Sequence, residues 1–405
     1  LPYDFDHPYW VEDEYFDVEH HMFHGRLPEP GDWRQFCIHR ARHFSLPMDM
    51  NRPLWDMYII EGLDRIKGIP RGCYAIATRV HHAAIDGTSA MHFFNALSDI
   101  DTEGTPAVEL PQWPESSAES PSTVTVLERA LVSNIQSPVK MAGTLLRFSP
   151  AIFNTIVKSL SSEGGTSRKV PATRFNQAGS PHKMFDATVF SLADMKQIKD
   201  SIEDSTINDV VLAICSGALR SYLEFHDELP DEPLVAVAPV NKRSKGAESE
   251  APGNKISAMS VALPTNIADP IERLLTIRDT TQQTKAAKSG ISARLMTDLS
   301  QHVPAATMAG VALLVAGGRF TSKFCNLFIS NVPGPQVPLY MNGAQLLHTF
   351  GLAPLADGMG LFIATPSYNG EMSFSIISAR EIMPDIEFFR ECLEQSFSEL
   401  LEAAV

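Results

Sequence analysis

Little in this 405-residue chain points to a covalent framework. Its five cysteines, Cys37, Cys73, Cys215, Cys325 and Cys392, are dispersed and form no close pairs. An odd, scattered set excludes a disulfide scaffold and lacks zinc-type spacing, and it suits a reducing cytoplasm. No run reaches the ~18–20 apolar residues a membrane span needs. The longest, Ala305 to Ala316, is broken by Thr307 and Gly310 and reads as a buried helix. Positive charge is scarce: 33 Lys and Arg face 48 Asp and Glu, for a net charge of -15. A general nucleic-acid binder is basic, so that class is set aside. A local basic patch for an anionic ligand stays open. Residues 1–24 hold seven acids and no Lys or Arg. No tandem repeat, signal peptide or G-x-S-x-G nucleophile elbow is visible. The chain opens on Leu1 rather than Met, as a fragment or processed product does.

What is present is ordinary globular composition, 44% hydrophobic and 20% charged. The length exceeds the roughly 100–200 residues of one domain and predicts two. Residues 1–160 form a first unit, 161–184 a Gly/Ser/Pro-rich crossover, and 185–405 a second unit. In the first, Tyr15 to Phe23 alternates loosely and reads as a strand, and 33–44 as a helix. Strands follow at Trp55 to Glu61 and Cys73 to His82. The second of these is apolar on both faces, which predicts a central strand covered on two sides. Residues 87–98 read as a helix, 101–123 as a Pro-rich loop, and Val124 to Leu160 as a cationic amphipathic stretch with helix breaks at Pro138 and Pro150. The second unit predicts strands at 187–192, 234–240, 256–263 and 324–331, with two or three more before Ser378. Its helices are expected at 207–225, 270–286, 291–317 and 386–402. The fold class is thus α/β (α+β), mixed sheets covered by helices.

The chemistry concentrates at Val80-His81-His82-Ala83-Ala84-Ile85-Asp86-Gly87-Thr88. A strand delivers two adjacent histidines to its end, and a short turn sets Asp and Gly before a helix. Neighbours on a strand face opposite ways, so His81 and His82 have different tasks. His82, nearer the end, is the better placed to meet a ligand. Histidine suits general-base work near neutral pH, which contributes roughly 10²–10⁴-fold when the base is positioned. Asp86 accepts backbone N–H bonds at the helix start or pairs with an Arg, and Gly87 permits a conformation that a side chain opposes. Against this stands a purely structural His pair, with Asp86 as a simple cap. A metal reading rests on His82 and Asp86 alone and lacks a third ligand.

HHAAIDG matches the HHxxxDG motif of CoA-dependent acyltransferases and peptide-synthetase condensation domains. Pro53-Leu54-Trp55, Asn208-Asp209, Pro239-Val240-Asn241, Gly253-Asn254-Lys255-Ile256-Ser257 and Ser330-Asn331-Val332-Pro333-Gly334-Pro335 follow in order around it. Together they make nearly the whole chain resemble the bacterial bifunctional wax ester synthase/diacylglycerol acyltransferase family. The resemblance implies a two-domain fold like chloramphenicol acetyltransferase with the active site at the domain interface. It also implies an early strand and helix before the segment where this chain begins. Acyl-CoA is then a co-substrate rather than a cofactor, and a long-chain alcohol or diacylglycerol is the acceptor. His82 takes the proton from the acceptor hydroxyl, and the alkoxide attacks the thioester with no acyl-enzyme. The products are wax ester or triacylglycerol. Lipid substrates imply a cytoplasmic enzyme in peripheral contact with a membrane or lipid droplet, with Val124 to Leu160 as one contact surface and ordinary packing as the other reading of it.

The supporting positions carry two readings each. Asn208 is a candidate oxyanion donor, while Thr206-Ile207-Asn208-Asp209 also looks like a capped helix start. Arg243 either braces Asp86, meets CoA phosphates, or is plain loop surface. Asn331 and its turn shape the acceptor tunnel or the crossover. Pro53-Leu54-Trp55 either shapes a turn or lines the tunnel. His20-His21 repeats the His pair without Asp-Gly and is assigned no chemistry. The rivals are an acyltransferase using a carrier-protein donor, a non-catalytic lipid-binding protein of the same fold, and, more distantly, a metal-dependent hydrolase.

Overall fold

A computed structural model describes residues 11–13, 15–84, 94–104, 122, 124–129, 131–132, 170–240, 257–286, 325–355 and 357–404. Asp86, Gly87, Arg243, most of the 101–123 loop and of Val124 to Leu160, and the helix expected at 291–317 lie outside those residues.

The first unit is a three-stranded sheet under one helix. β1 (Met22–Arg26) is followed by α1 (Trp33–Ser45), β2 (Trp55–Glu61) and β3 (Ala75–Val80). β1 pairs parallel to β2, and β2 antiparallel to β3, in the order β1-β2-β3. Two expectations are corrected here. The strand read at Tyr15 to Phe23 is a 3-10 turn at Val18–His21 entering β1, because Asp17 caps that turn by accepting from the Glu19 N–H. The strand read as central is an edge among the described residues, and β2 is the middle one. The apolar second face of β3 comes from Ala75 and Ala77, which are small enough for α1 to lie over them.

The second unit holds a six-stranded mixed sheet. In chain order come β4 (Lys183–Ser191), α2 (Leu192–Asp200), α3 (Ile207–Phe225), β5 (Leu234–Val240), β6 (Ser257–Leu263), α4 (Pro270–Ala286) and β7 (Leu327–Val332). The short hairpin strands β8 (Tyr340–Met341) and β9 (Ala344–Gln345) precede β10 (Leu361–Tyr368), β11 (Glu371–Ala379) and α5 (Ile386–Ala403). The sheet order is β4-β11-β10-β7-β5-β6. β5, β7 and β10 are parallel neighbours, and the remaining pairs are antiparallel. α2 is an element the periodicity did not reveal; nine residues give a weak pattern, although Ser191 caps it by accepting from the Asp194 N–H.

One face of this sheet carries the main core. Leu234, Ala236, Leu327, Ile329, Leu361, Ile363, Phe374 and Ile376 pack under α2, α3, α4 and α5. Every residue of α3 from Asp209 to Leu219 is buried, as expected of a helix apolar nearly all round. A Cβ on Gly217 would meet Ser396 Oγ at 2.2 Å, so glycine lets α3 and α5 approach closely.

α1 is the joint between the two units. Its Phe36, Cys37 and Ala41 share a core with Ile60 of β2 and with Phe185 and Ala187 of β4. Trp33 Nε1 donates to Asp186 Oδ1 at 2.7 Å, and Arg390 Nε reaches Asp186 Oδ2 at 3.3 Å. Burial pushes the Asp186 carboxyl above its ordinary range, against the lowering effect of Trp33, the Ala187 N–H and Arg390. A second link joins Asp99 and Tyr340, whose backbones exchange hydrogen bonds of 2.7 and 2.8 Å.

Candidate active site

β3 stops at Val80, so the two histidines leave the sheet together in a turn. The His81 N–H donates to the Leu54 carbonyl at 2.9 Å, one step beyond the Trp55–Val80 pair. The Ala84 N–H then closes the turn on the His81 carbonyl at 2.9 Å. The Ala83 N–H donates to His81 Nδ1 at 3.2 Å. That ring nitrogen therefore accepts, which places the neutral proton on Nε2. His81 is half-buried and occupied with its own turn, whereas His82 is exposed. The strand-pleat argument for their different tasks is thereby corrected. The two residues differ because the His81 ring accepts from the turn's own Ala83 N–H and His81 is half-buried, whereas His82 is exposed.

Pro53-Leu54-Trp55 sits directly across from this turn. The Trp55 N–H donates to the Pro53 carbonyl at 2.8 Å, and Leu54 then presents its own carbonyl to His81. Trp55 stacks on His21, with ring centroids 4.7 Å apart, and His21 Nδ1 lies 2.8 Å from the Trp55 carbonyl. His21 is 5% exposed, which gives it a packing role, while His20 is exposed.

Behind the turn lies a charged cluster to which the sequence reading gave no role. Asp56 and Arg79 are direct cross-strand partners. Arg79 Nε lies 3.1 and 3.0 Å from the two Asp56 oxygens, and Arg79 NH2 also binds Asp56. Arg79 NH1 donates to the His43 and Leu46 carbonyls at 2.9 and 2.7 Å, at the C-terminal end of α1. His43 Nε2 is 3.4 Å from Asp56. Burial pushes the His43 pKa down to about 4, aided by the Arg79 and Arg40 charges and opposed by Asp56. Arg40 lies over the Tyr58 ring at 5.6 Å, and burial lowers its pKa to about 10. The alternation of β3 had placed Arg79 on an otherwise apolar face. An acid at the matching position of β2 was the signal that could have identified the pair.

The remaining candidates belong to the six-stranded layer. Asp209 is 1% exposed and closes a capping box. Its Oδ2 accepts from the Thr206 N–H at 2.9 Å and from Thr206 Oγ at 2.7 Å, and its Oδ1 from Thr281 Oγ at 2.8 Å. An ionised carboxylate is an acceptor only and has nothing to donate to an oxyanion. Both carboxylate oxygens are thus engaged by the cap and by Thr281, which is the helix-start reading of Thr206-Ile207-Asn208-Asp209. Asn208, on the first turn of α3, is half-buried, and its amide has no hydrogen-bond partner among the described residues. Asn331 stands near the C-terminal end of β7 beside Thr365 of β10. Its Oδ1 is buried with no partner among the described residues, and a carbonyl oxygen accepts rather than donates. The Asn208 amide N–H thus remains as a possible donor to a developing oxyanion.

Four of the five cysteines are not activated nucleophiles. Cys37, Cys215, Cys325 and Cys392 are buried, and burial raises all four thiols, Cys325 to about 11 and Cys392 to about 12. No group of three or more His, Cys, Asp or Glu placed to hold a metal occurs among the described residues. Among those residues no helix is long and apolar enough to cross a membrane.

Comparison with known proteins bears on the whole chain. A model of the wax ester synthase/diacylglycerol acyltransferase catalytic domain matches residues 1–211, and one of the C-terminal domain of the same proteins matches 252–401. The O-acyltransferase WSD of Acinetobacter baylyi is 31% identical over 405 residues, covering 98% of this chain and 84% of its own. A Mycobacterium tuberculosis protein named for diacylglycerol O-acyltransferase activity is 33% identical over 407 residues, covering 98% of this chain and 77% of its own. Among solved structures, the wax ester synthase/diacylglycerol acyltransferase of Marinobacter aquaeolei VT8 superimposes with a TM-score of 0.69 at 28% identity, over 98% of this chain and 83% of that one.

Proposed function

Since the chain belongs to the wax ester synthase/diacylglycerol acyltransferase family and is an O-acyltransferase, we propose that it moves a fatty acyl group from acyl-CoA to a long-chain alcohol or diacylglycerol, with His82 as general base. The observation that carries this reading is the exposed His82 ring, held on a turn at the end of β3 inside the HHAAIDG motif. His82 accepts the proton of the acceptor hydroxyl as its oxygen attacks the thioester carbonyl. The tetrahedral oxyanion collapses, the C–S bond breaks, and the proton returns to the departing thiolate of CoA. Direct transfer accords with four buried thiols held in the protonated form and with the missing serine elbow. His81 supports the turn, and the Asn208 amide N–H is the candidate to face the oxyanion.

We further propose that the enzyme works in the cytoplasm, in peripheral contact with a membrane or droplet surface where a lipid acceptor resides. Val124, Leu127 and Leu131 recur at helical spacing and are 65%, 40% and 64% exposed, an apolar stripe suited to such contact. With a net charge of -15, docking is local and apolar rather than electrostatic. One experiment tests both statements. The protein receives acyl-CoAs of several lengths, with hexadecanol or diacylglycerol carried in phosphatidylcholine vesicles. Products are identified by mass and the protein is followed through vesicle flotation. Ester formation with flotation is expected. CoA release without ester would sink the transferase reading, and ester formation without flotation would sink the lipid contact.

A further inference from the structure

We infer that Arg79 is a positioning residue for His82: it locks the end of β3 from which the catalytic turn departs. This rests on the general-base reading of His82. Arg79 stands three residues before His82, and its side chain joins three elements at one point. Through Nε and NH2 it holds Asp56 on β2, with Nε to the two carboxylate oxygens at 3.1 and 3.0 Å. Through NH1 it holds the His43 and Leu46 carbonyls at 2.9 and 2.7 Å, where α1 ends. The arrangement is shielded, with the Arg79 and Asp56 side chains only 14% and 12% exposed.

The geometry makes the lock specific to the histidine turn. Asp56 and Arg79 are cross-strand partners, and two residues further on Leu54 and His81 share the last backbone bond of the ladder, at 2.9 Å. Among the described residues no strand continues the ladder beyond that bond. On the strand side it is followed by the Trp55–Val80 pair and then by the Asp56–Arg79 pair. Removing the guanidinium leaves the Asp56 carboxylate shielded without its main cation and takes a donor from two helix-end carbonyls. The end of β3 then loses its tie to α1, and the Leu54–His81 bond is the first to open. Lysine is a poor substitute, because one ammonium cannot span a carboxylate fork and two carbonyls on different elements. Arg79 uses all three nitrogens within the protein, so its loss is predicted to change the placement of the base and not the binding of acyl-CoA.

The test compares Arg79→Gln, Arg79→Lys and Asp56→Asn with His82→Ala in the full chain, at a temperature well below each melting point. Turnover per folded molecule and KM for acyl-CoA are measured for each. For Arg79→Gln a fall in kcat of about 10–100-fold is expected, the order that a misplacement of about 1 Å produces. KM should stay within about threefold. Arg79→Lys should recover little of the loss, and added guanidinium ion should restore part of the turnover of Arg79→Gly. Asp56→Asn, which keeps the side-chain shape, should show a smaller kcat defect of the same kind and serves if the Arg79 variants do not fold. Near wild-type kcat in folded Arg79→Gln, with His82→Ala inactive, overturns the positioning role while sparing the base. A raised KM at unchanged kcat overturns it in favour of direct substrate contact. Wild-type turnover by His82→Ala removes the base reading itself, and the inference with it.

Discussion

Asn208 and Asp209 are adjacent and face opposite fates. The Asp209 carboxylate is buried and saturated by Thr206 and Thr281. The Asn208 amide has no partner among the described residues. Asp209→Ala should therefore cost about 2 kcal/mol of stability through the lost cap and the lost bond to Thr281, whose hydroxyl keeps only the Arg278 carbonyl. Asn208→Ala should change stability by less than about 0.5 kcal/mol, and it should lower kcat if its amide faces the oxyanion. Denaturant melts and kinetics on both variants check this; a large stability loss in Asn208→Ala would contradict it. The motif Thr206-Ile207-Asn208-Asp209 announced a cap but not which residue was spent on it. A hydrogen bond from α4, 72 residues away at Thr281, completes the answer, and no local pattern contains it.

At the scale of elements, the histidine turn departs from β3 where α1, β2 and β3 meet around Asp56 and Arg79. His43, on the last turn of α1, is held neutral by burial beside two arginines. Its folded pKa is about 4 against 6.5 for the free side chain. Between those values the unfolded chain binds a proton that the folded chain does not, so this group makes stability fall as pH drops from 6.5 toward 4. The decline should be shallower in His43→Asn than in wild type when denaturant midpoints are compared across that range. Equal slopes would show that His43 is not depressed. Elements with strong periodicity were readable: Trp55–Glu61, Ile207–Phe225 and Leu234–Val240 have the predicted bounds. Departures had local physical causes. The 3-10 turn at Val18–His21 was set by the Asp17 cap, and α2 was too short to show a period. β3 ended two residues early because the Ala84 N–H bonds back to the His81 carbonyl.

Over the whole molecule, the ordered motifs were legible as a set because each is short and local, as with Leu54-Trp55 at the start of β2, Thr206 to Asp209 at the start of α3 and Ser330 to Val332 at the end of β7. Their spatial union was not legible, since it depends on contacts far apart in sequence. Trp33 meets Asp186 across 153 residues, and Asp99 meets Tyr340 through paired backbone bonds. These contacts tie α1 and Asp99 of the first unit to β4 and β8 of the second. The central claim is that the His82 imidazole removes the acceptor proton. The most direct measurement is steady-state thiol release with ester quantification by His82→Ala, alongside a melting curve. The account predicts an unchanged melting temperature and a loss of turnover of about 10²-fold or more; ester formation at the wild-type rate by that folded variant would contradict it.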